Sequence, residues 1–98
     1  MITTLQIGPL TYTVLLAEEL ASETGELHGD INYGKCRIRI CADDADQLQH
    51  VTLWHEALHG VLHAAGIPDH DESRIVALAH GIVALLRDNP VLAEGLAA

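Results

Sequence analysis

Two histidines stand four residues apart in Leu53-Trp54-His55-Glu56-Ala57-Leu58-His59, with a carboxylate directly after the first. On a helix that spacing sets both imidazoles on one side, about a turn from each other. Both can then reach a single zinc ion, and Glu56 can hold and deprotonate a water on it. His63 continues the four-residue spacing. Along a helix axis, however, it would lie roughly 12 Å from His55, too far to share an ion. The pair His59 and His63 has Gly60 where the base is needed. The chemistry therefore selects His55, Glu56 and His59, and His63 is expected to face solvent.

A catalytic zinc generally keeps three protein ligands and one open position. Glu72 is the expected third ligand and Asp71 the alternative. The connection before them is short, so a second helix must fold back beside the first. Glu72 also falls on a face otherwise made of Ile75, Leu78, Ala79, Ile82 and Leu86, where an unpartnered charge is costly. The competing role for Glu72 is a capping box with Asp69. His80, two turns on, could stabilise the charged oxygen of a tetrahedral intermediate or serve as a hydrogen-bonded histidine at a helix–sheet contact. His28, His50 and His70 are expected at the surface.

The elements that must position these residues follow from periodicity. Asp44 with Gln47 forms a capping-box pattern opening a helix to about Ala65, stopped by Gly66 and Pro68. At 100° per residue, Val51, Trp54, Leu58, Val61, Leu62 and Ala65 make its apolar arc. His55 and His59 lie at the edge of that arc and Glu56 beyond it. The second helix is expected over Asp71–Arg87, ended by Asn89-Pro90, with a frayed tail from Val91.

Upstream, strands are expected up to Ile7 and over Leu10–Leu16, then a helical turn at Ala17–Ala21 and an acidic loop from Ser22 to Glu26. Apolar or small residues then fall at Leu27, Gly29 and Ile31, and the parity inverts at Cys36, Ile38 and Ile40. A two-residue turn at Tyr33-Gly34 satisfies both patterns. It sets Asn32 opposite Lys35, Ile31 opposite Cys36, Asp30 opposite Arg37, Gly29 opposite Ile38 and Leu27 opposite Ile40. Lys35, Arg37 and Arg39 then form a solvated row. The expected fold is α+β, a small antiparallel sheet of about three strands packed on two helices. Residues 1–98 are read as a single domain, with 1–41 mainly β, 44–88 two helices and 89–98 a tail.

Composition narrows the function classes. With 98 residues and 49% hydrophobic side chains, the chain can build one small core, aliphatic because Phe is absent. The formal charge of -9 opposes phosphate backbones and anionic lipid, which disfavours direct nucleic-acid or membrane binding. Cys36 and Cys41, at odd offset, would point to opposite faces of one strand and not form a disulfide. No C-x-x-C, signal peptide or membrane-length apolar run is read, and a reducing cytoplasm is expected.

Taken together, hairpin, H-E-x-x-H helix and early helical glutamate resemble the zincin metallopeptidases, specifically the small ImmA/IrrE type found in phage and mobile-element genes. That family's second helix tends to read E-x-x-A-N-x-F-A-x-x-L-L. The matching stretch is Glu72-Ser73-Arg74-Ile75-Val76-Ala77-Leu78-Ala79-His80-Gly81-Ile82-Val83, in which Glu72 and Ala79 agree while Ile75-Val76 and Leu78 differ. The metzincin pattern is not met, because Leu62 and Ala65 occupy its Gly and third His positions. The resemblance implies zinc on His55, His59 and Glu72, with Glu56 as base. It also implies a protein or peptide substrate, and such a substrate is expected to lie extended along a sheet edge such as Cys36–Ile40, as an added strand. A partner subunit or a homo-oligomer would be a way to complete substrate recognition. The rivals are a non-catalytic module that uses zinc to fix its helices and bind a protein partner, and an acidic interaction protein without metal.

Overall fold

The computed structural model describes residues 3–18, 20–22, 25–26 and 28–95. Among the described residues, six strands precede three helices: β1 (Thr4–Ile7), β2 (Leu10–Ala17), β3 (Ala21–Ser22), β4 (Gly25–Glu26), β5 (Gly29–Asn32), β6 (Arg37–Cys41), α1 (Asp46–Ala64), α2 (Glu72–Asp88) and α3 (Val91–Glu94). The main sheet has four strands in the order β1-β2-β6-β5. It is mixed, because β2 and β6 run parallel, Val14 beside Ile38 and Leu16 beside Ile40. The expected sheet was antiparallel with about three strands. Alternation tells which face a residue takes, but neither the partner strand nor its direction. The chain crosses from β2 to the edge at β5 and returns as β6, which brings β6 back parallel to β2.

Three local expectations are corrected. Of the helical turn expected at Ala17–Ala21, Ala17 instead ends β2 and Ala21 opens β3, and Glu19 lies outside the described residues. The acidic loop is in part a small hairpin, with Ser22 paired to Gly25. The tail carries a helical turn at α3, and Pro90 in the αR conformation begins it.

The β5–β6 hairpin forms with the expected parity and a register displaced by two. Asn32 pairs with Arg37, Ile31 with Ile38, Asp30 with Arg39 and Gly29 with Ile40. Leu27, expected opposite Ile40, lies outside the described residues. A one-residue slip would turn every side chain over, but a two-residue slip keeps both faces, so the pattern alone leaves it open. Loop chemistry decides. Asn32 Oδ1 accepts from Lys35 N at 2.9 Å, and Cys36 takes φ +50, making a four-residue loop from Tyr33 to Cys36. Arg39 then donates to both carboxylate oxygens of Asp30.

Ile7, Tyr12, Val14, Ile38, Ile40 and Leu53 form the core, with Tyr12 among the most buried side chains despite the aliphatic expectation. α1 packs on β1, β5 and β6, whereas α2 packs on α1 and makes no close backbone approach to the sheet among the described residues. The residues α1 buries are Gln49, Thr52, Leu53, Glu56, His59 and Gly60, not the expected arc, of which Val61 is 51% exposed. Small side chains explain the difference. A Cβ on Gly29 would stand 2.5 Å from Thr52 Cγ2 and 2.9 Å from the Arg39 carbonyl, and one on Gly60 2.8 Å from Ile7 Cδ1. The bare backbone at both points lets α1 close onto the sheet along its polar stripe.

The start of α1 also differs from expectation. Ala45 is its N-cap, without a side-chain hydrogen bond, and Asp44 instead accepts from His28 Nδ1 at 2.7 Å. Its end is as expected. Gly66 (φ +76) donates to His63 O and Ile67 N to Leu62 O, the paired bonds of a Schellman stop. Asp71 caps α2 by accepting from Arg74 N. That excludes the Asp69 capping box and gives Asp71 a task other than ligation. Both cysteines are free. Among the described residues, no helix is long and apolar enough to cross a membrane.

Candidate metal centre

His55 and His59 project from successive turns of α1, their ring centroids 5.0 Å apart. Glu72, first residue of α2, reaches across to both. Its Oε2 lies 3.2 Å from His55 Nε2 and its Oε1 2.7 Å from His59 Nε2. One donor atom from each residue lies within 4.8 Å of the other two, a group able to hold a metal ion. A tetrahedral ion with bonds of about 2.0–2.1 Å separates its ligand atoms by roughly 3.3 Å, so the three donor atoms stand close enough to share one metal ion. Two imidazoles and a carboxylate are also a donor set used by catalytic zinc. The sequence expectation brought together the same three residues.

Glu56 is more deeply placed than its helical angle indicated. It is 7% exposed, and its Cγ lies 3.6 Å from where a Gly29 Cβ would stand. Its Oε1 is 3.7 Å from His55 Nε2. Burial, then the neighbouring charges of Asp30 and Glu72, push its carboxyl from an ordinary value near 4.5 up to about 7. Burial lowers the pKa of His59, and the nearby His55 and His70 imidazoles act in the same direction against the opposing pull of Glu72. A buried carboxyl poised near neutrality beside two imidazoles is an arrangement suited to proton transfer.

Two hollows meet at this group. One, of about 420 Å³, is bordered by Gly29, Asp30, Ile31 and Tyr33 on one side and by the three candidate ligands and Glu56 on the other. The second, of about 290 Å³, shares His55 and Glu56 but runs toward Leu48, Val51, Val76 and His80. His80 is thus at the cleft. Its Nδ1 is engaged with the Val76 carbonyl of its own helix at 2.9 Å, and it is not among the converging donors.

His63 is exposed and stacks flat on Tyr33, centroids 4.0 Å apart. His50 is exposed, as is His28, which pairs with Asp44. His70 corrects the surface assignment. It is half-buried, its Nδ1 2.8 Å from His59 Nδ1 and its Nε2 2.7 Å from the Ile67 carbonyl. The short connection that returns Glu72 to α1 must return His70 as well, so the signal was present in the loop length. Asp30 and Tyr33 were also missed as residues of the cleft, because their places depend on the hairpin's loop. No protein-family model, curated protein or solved structure matches this chain, so the reading of the site rests on its own geometry.

Proposed function

We propose that this protein is a zinc-dependent peptidase of the ImmA/IrrE-like kind. The observation that carries the reading is the convergence of His55, His59 and Glu72 beside a buried Glu56, in a cleft bordered by an edge strand. Held by His55, His59 and Glu72, zinc would supply a Lewis acid that polarises a peptide carbonyl and acidifies the attacking water. Glu56 takes the proton from the attacking water and returns it to the leaving amine. β6 has neighbours on both sides, whereas β5 is the sheet edge that borders the cleft. An extended peptide therefore adds along Gly29–Asn32, not along Cys36–Ile40. Glu72, with 65% of its side chain exposed, favours an open coordination sphere. Structural zinc is usually closed by four protein ligands, and the described residues bring together three.

The test is Glu56→Gln in purified, zinc-loaded protein assayed on a peptide library. Zinc content is expected to stay equimolar while cleavage falls by about 10²–10⁴-fold, the usual contribution of a general base. Cleavage retained in Glu56→Gln would reject the mechanism. A wild-type protein that binds zinc, cuts nothing and unfolds on chelation would support the non-catalytic module instead.

A further inference from the structure

Three close contacts run in a line through His59: Glu72 Oε1 to His59 Nε2 at 2.7 Å, His59 Nδ1 to His70 Nδ1 at 2.8 Å, and His70 Nε2 to the Ile67 carbonyl at 2.7 Å. Every atom in the line is an electron-pair donor. Each contact therefore needs a proton or a cation between its two atoms. Two neutral imidazoles bring two protons for three contacts. The third positive particle has to come from outside.

The contact that takes it can be identified. The Ile67 carbonyl can only accept, and His70 Nε2 stands 2.7 Å from it. His70 Nε2 must therefore carry a proton, and a ring holding that one proton has a bare Nδ1. A bare Nδ1 at hydrogen-bond distance requires a proton on His59 Nδ1. Both imidazole protons are then used, and the contact left over is His59 Nε2 with Glu72. Both of its partners are candidate ligands of the metal, and Glu72 is the more exposed of the two.

We propose that His70 is a positioning residue that holds His59 in its Nδ1–H tautomer and so keeps His59 Nε2 free to bind zinc. The chain of bonds runs from the stop of α1 through Ile67 and His70 to His59, so the end of the ligand helix orients one of the helix's own ligands. Hydrogen-bonding the far nitrogen of a ligating histidine fixes its ring and raises its basicity. The proposal rests on the metal reading given above, but its proton arrangement is measurable without metal.

Long-range proton–nitrogen NMR spectra of labelled protein at pH 8, with and without zinc, read the tautomers directly. His59 is expected to carry its proton on Nδ1 in both samples and His70 on Nε2. Zinc addition should move the His59 Nε2 resonance. Competition against a chromophoric chelator should show zinc bound about 10–100-fold more weakly by His70→Ala. His70→Asn, whose amide oxygen can stand near the Nδ1 position, should recover most of the loss. His59 found with its proton on Nε2 in the zinc-free protein, or zinc affinity unchanged in His70→Ala, would overturn the proposal. A wild-type protein that ignores zinc yet shows the Nδ1–H tautomer would overturn the metal reading and leave the hydrogen-bond chain standing.

Discussion

Glu56 is a carboxylate the fold holds at a cost. Its pKa rises from near 4.5 to about 7 because it is buried beside Asp30 and Glu72. Between those values the folded state binds more protons than the unfolded state, so stability falls as pH rises through that window and the loss is complete above it. For the metal-free protein this amounts to about 3 kcal/mol. Urea unfolding of the metal-free protein is expected to show that decline, and Glu56→Gln should flatten it; an unchanged slope would mean Glu56 is solvated. His55→Ala and His59→Ala should abolish zinc uptake in equilibrium dialysis. Glu72→Ala should weaken uptake with little change in stability, since its side chain is mostly exposed. At this scale, spacing made His55, Glu56 and His59 legible, and the short connection with a carboxylate on an apolar helical face pointed to Glu72. The burial of Glu56 and the contact of His70 were not, because both arise where segments meet.

The hairpin and α1 together set where the ligands stand. Gly29 is the tight point, since any Cβ there meets both the Thr52 methyl and the Arg39 backbone. Gly29→Ala is expected to destabilise by about 1–3 kcal/mol, the usual cost of overpacking. Gly60→Ala should cost less, because the obstructing Ile7 Cδ1 is the tip of a flexible side chain; thermal melts of the two variants would show the order. The strands β1, β2, β5 and β6 and the helices α1 and α2 were readable from alternation, helical periodicity and breakers, whereas the expected caps at Asp44 and Asp69 did not form. The hairpin register was readable only to within two residues. The buried face of α1 was misread, because a hydrophobic arc gives no weight to Gly29 and Gly60, whose bare backbone turns the polar stripe inward.

Across the whole molecule, two terms matter: a formal charge of -9 and a candidate metal centre joining α1 to α2. On the proposed reading, a charge of that sign favours encounter with cationic peptides. Cleavage of Lys- or Arg-rich peptides should therefore fall as salt increases, through kcat/KM, while neutral peptides respond little; an equal response would remove steering from the account. Zinc that binds only the folded state raises Tm with concentration, by about 4 kcal/mol of stability at a thousandfold excess over Kd. The α+β class was legible from the halves of the sequence. The central parallel pair β2–β6 was not, because sheet order depends on a crossover that no local pattern records.

X-ray absorption at the zinc edge of the loaded protein, with metal content measured on the same sample, tests the centre most directly. One zinc per chain is expected, with two imidazoles, one carboxylate oxygen and one solvent oxygen at about 2.0–2.1 Å, and with the carboxylate lost in Glu72→Ala. A chain that takes up no stoichiometric zinc, or a shell of four protein ligands without solvent, would contradict it.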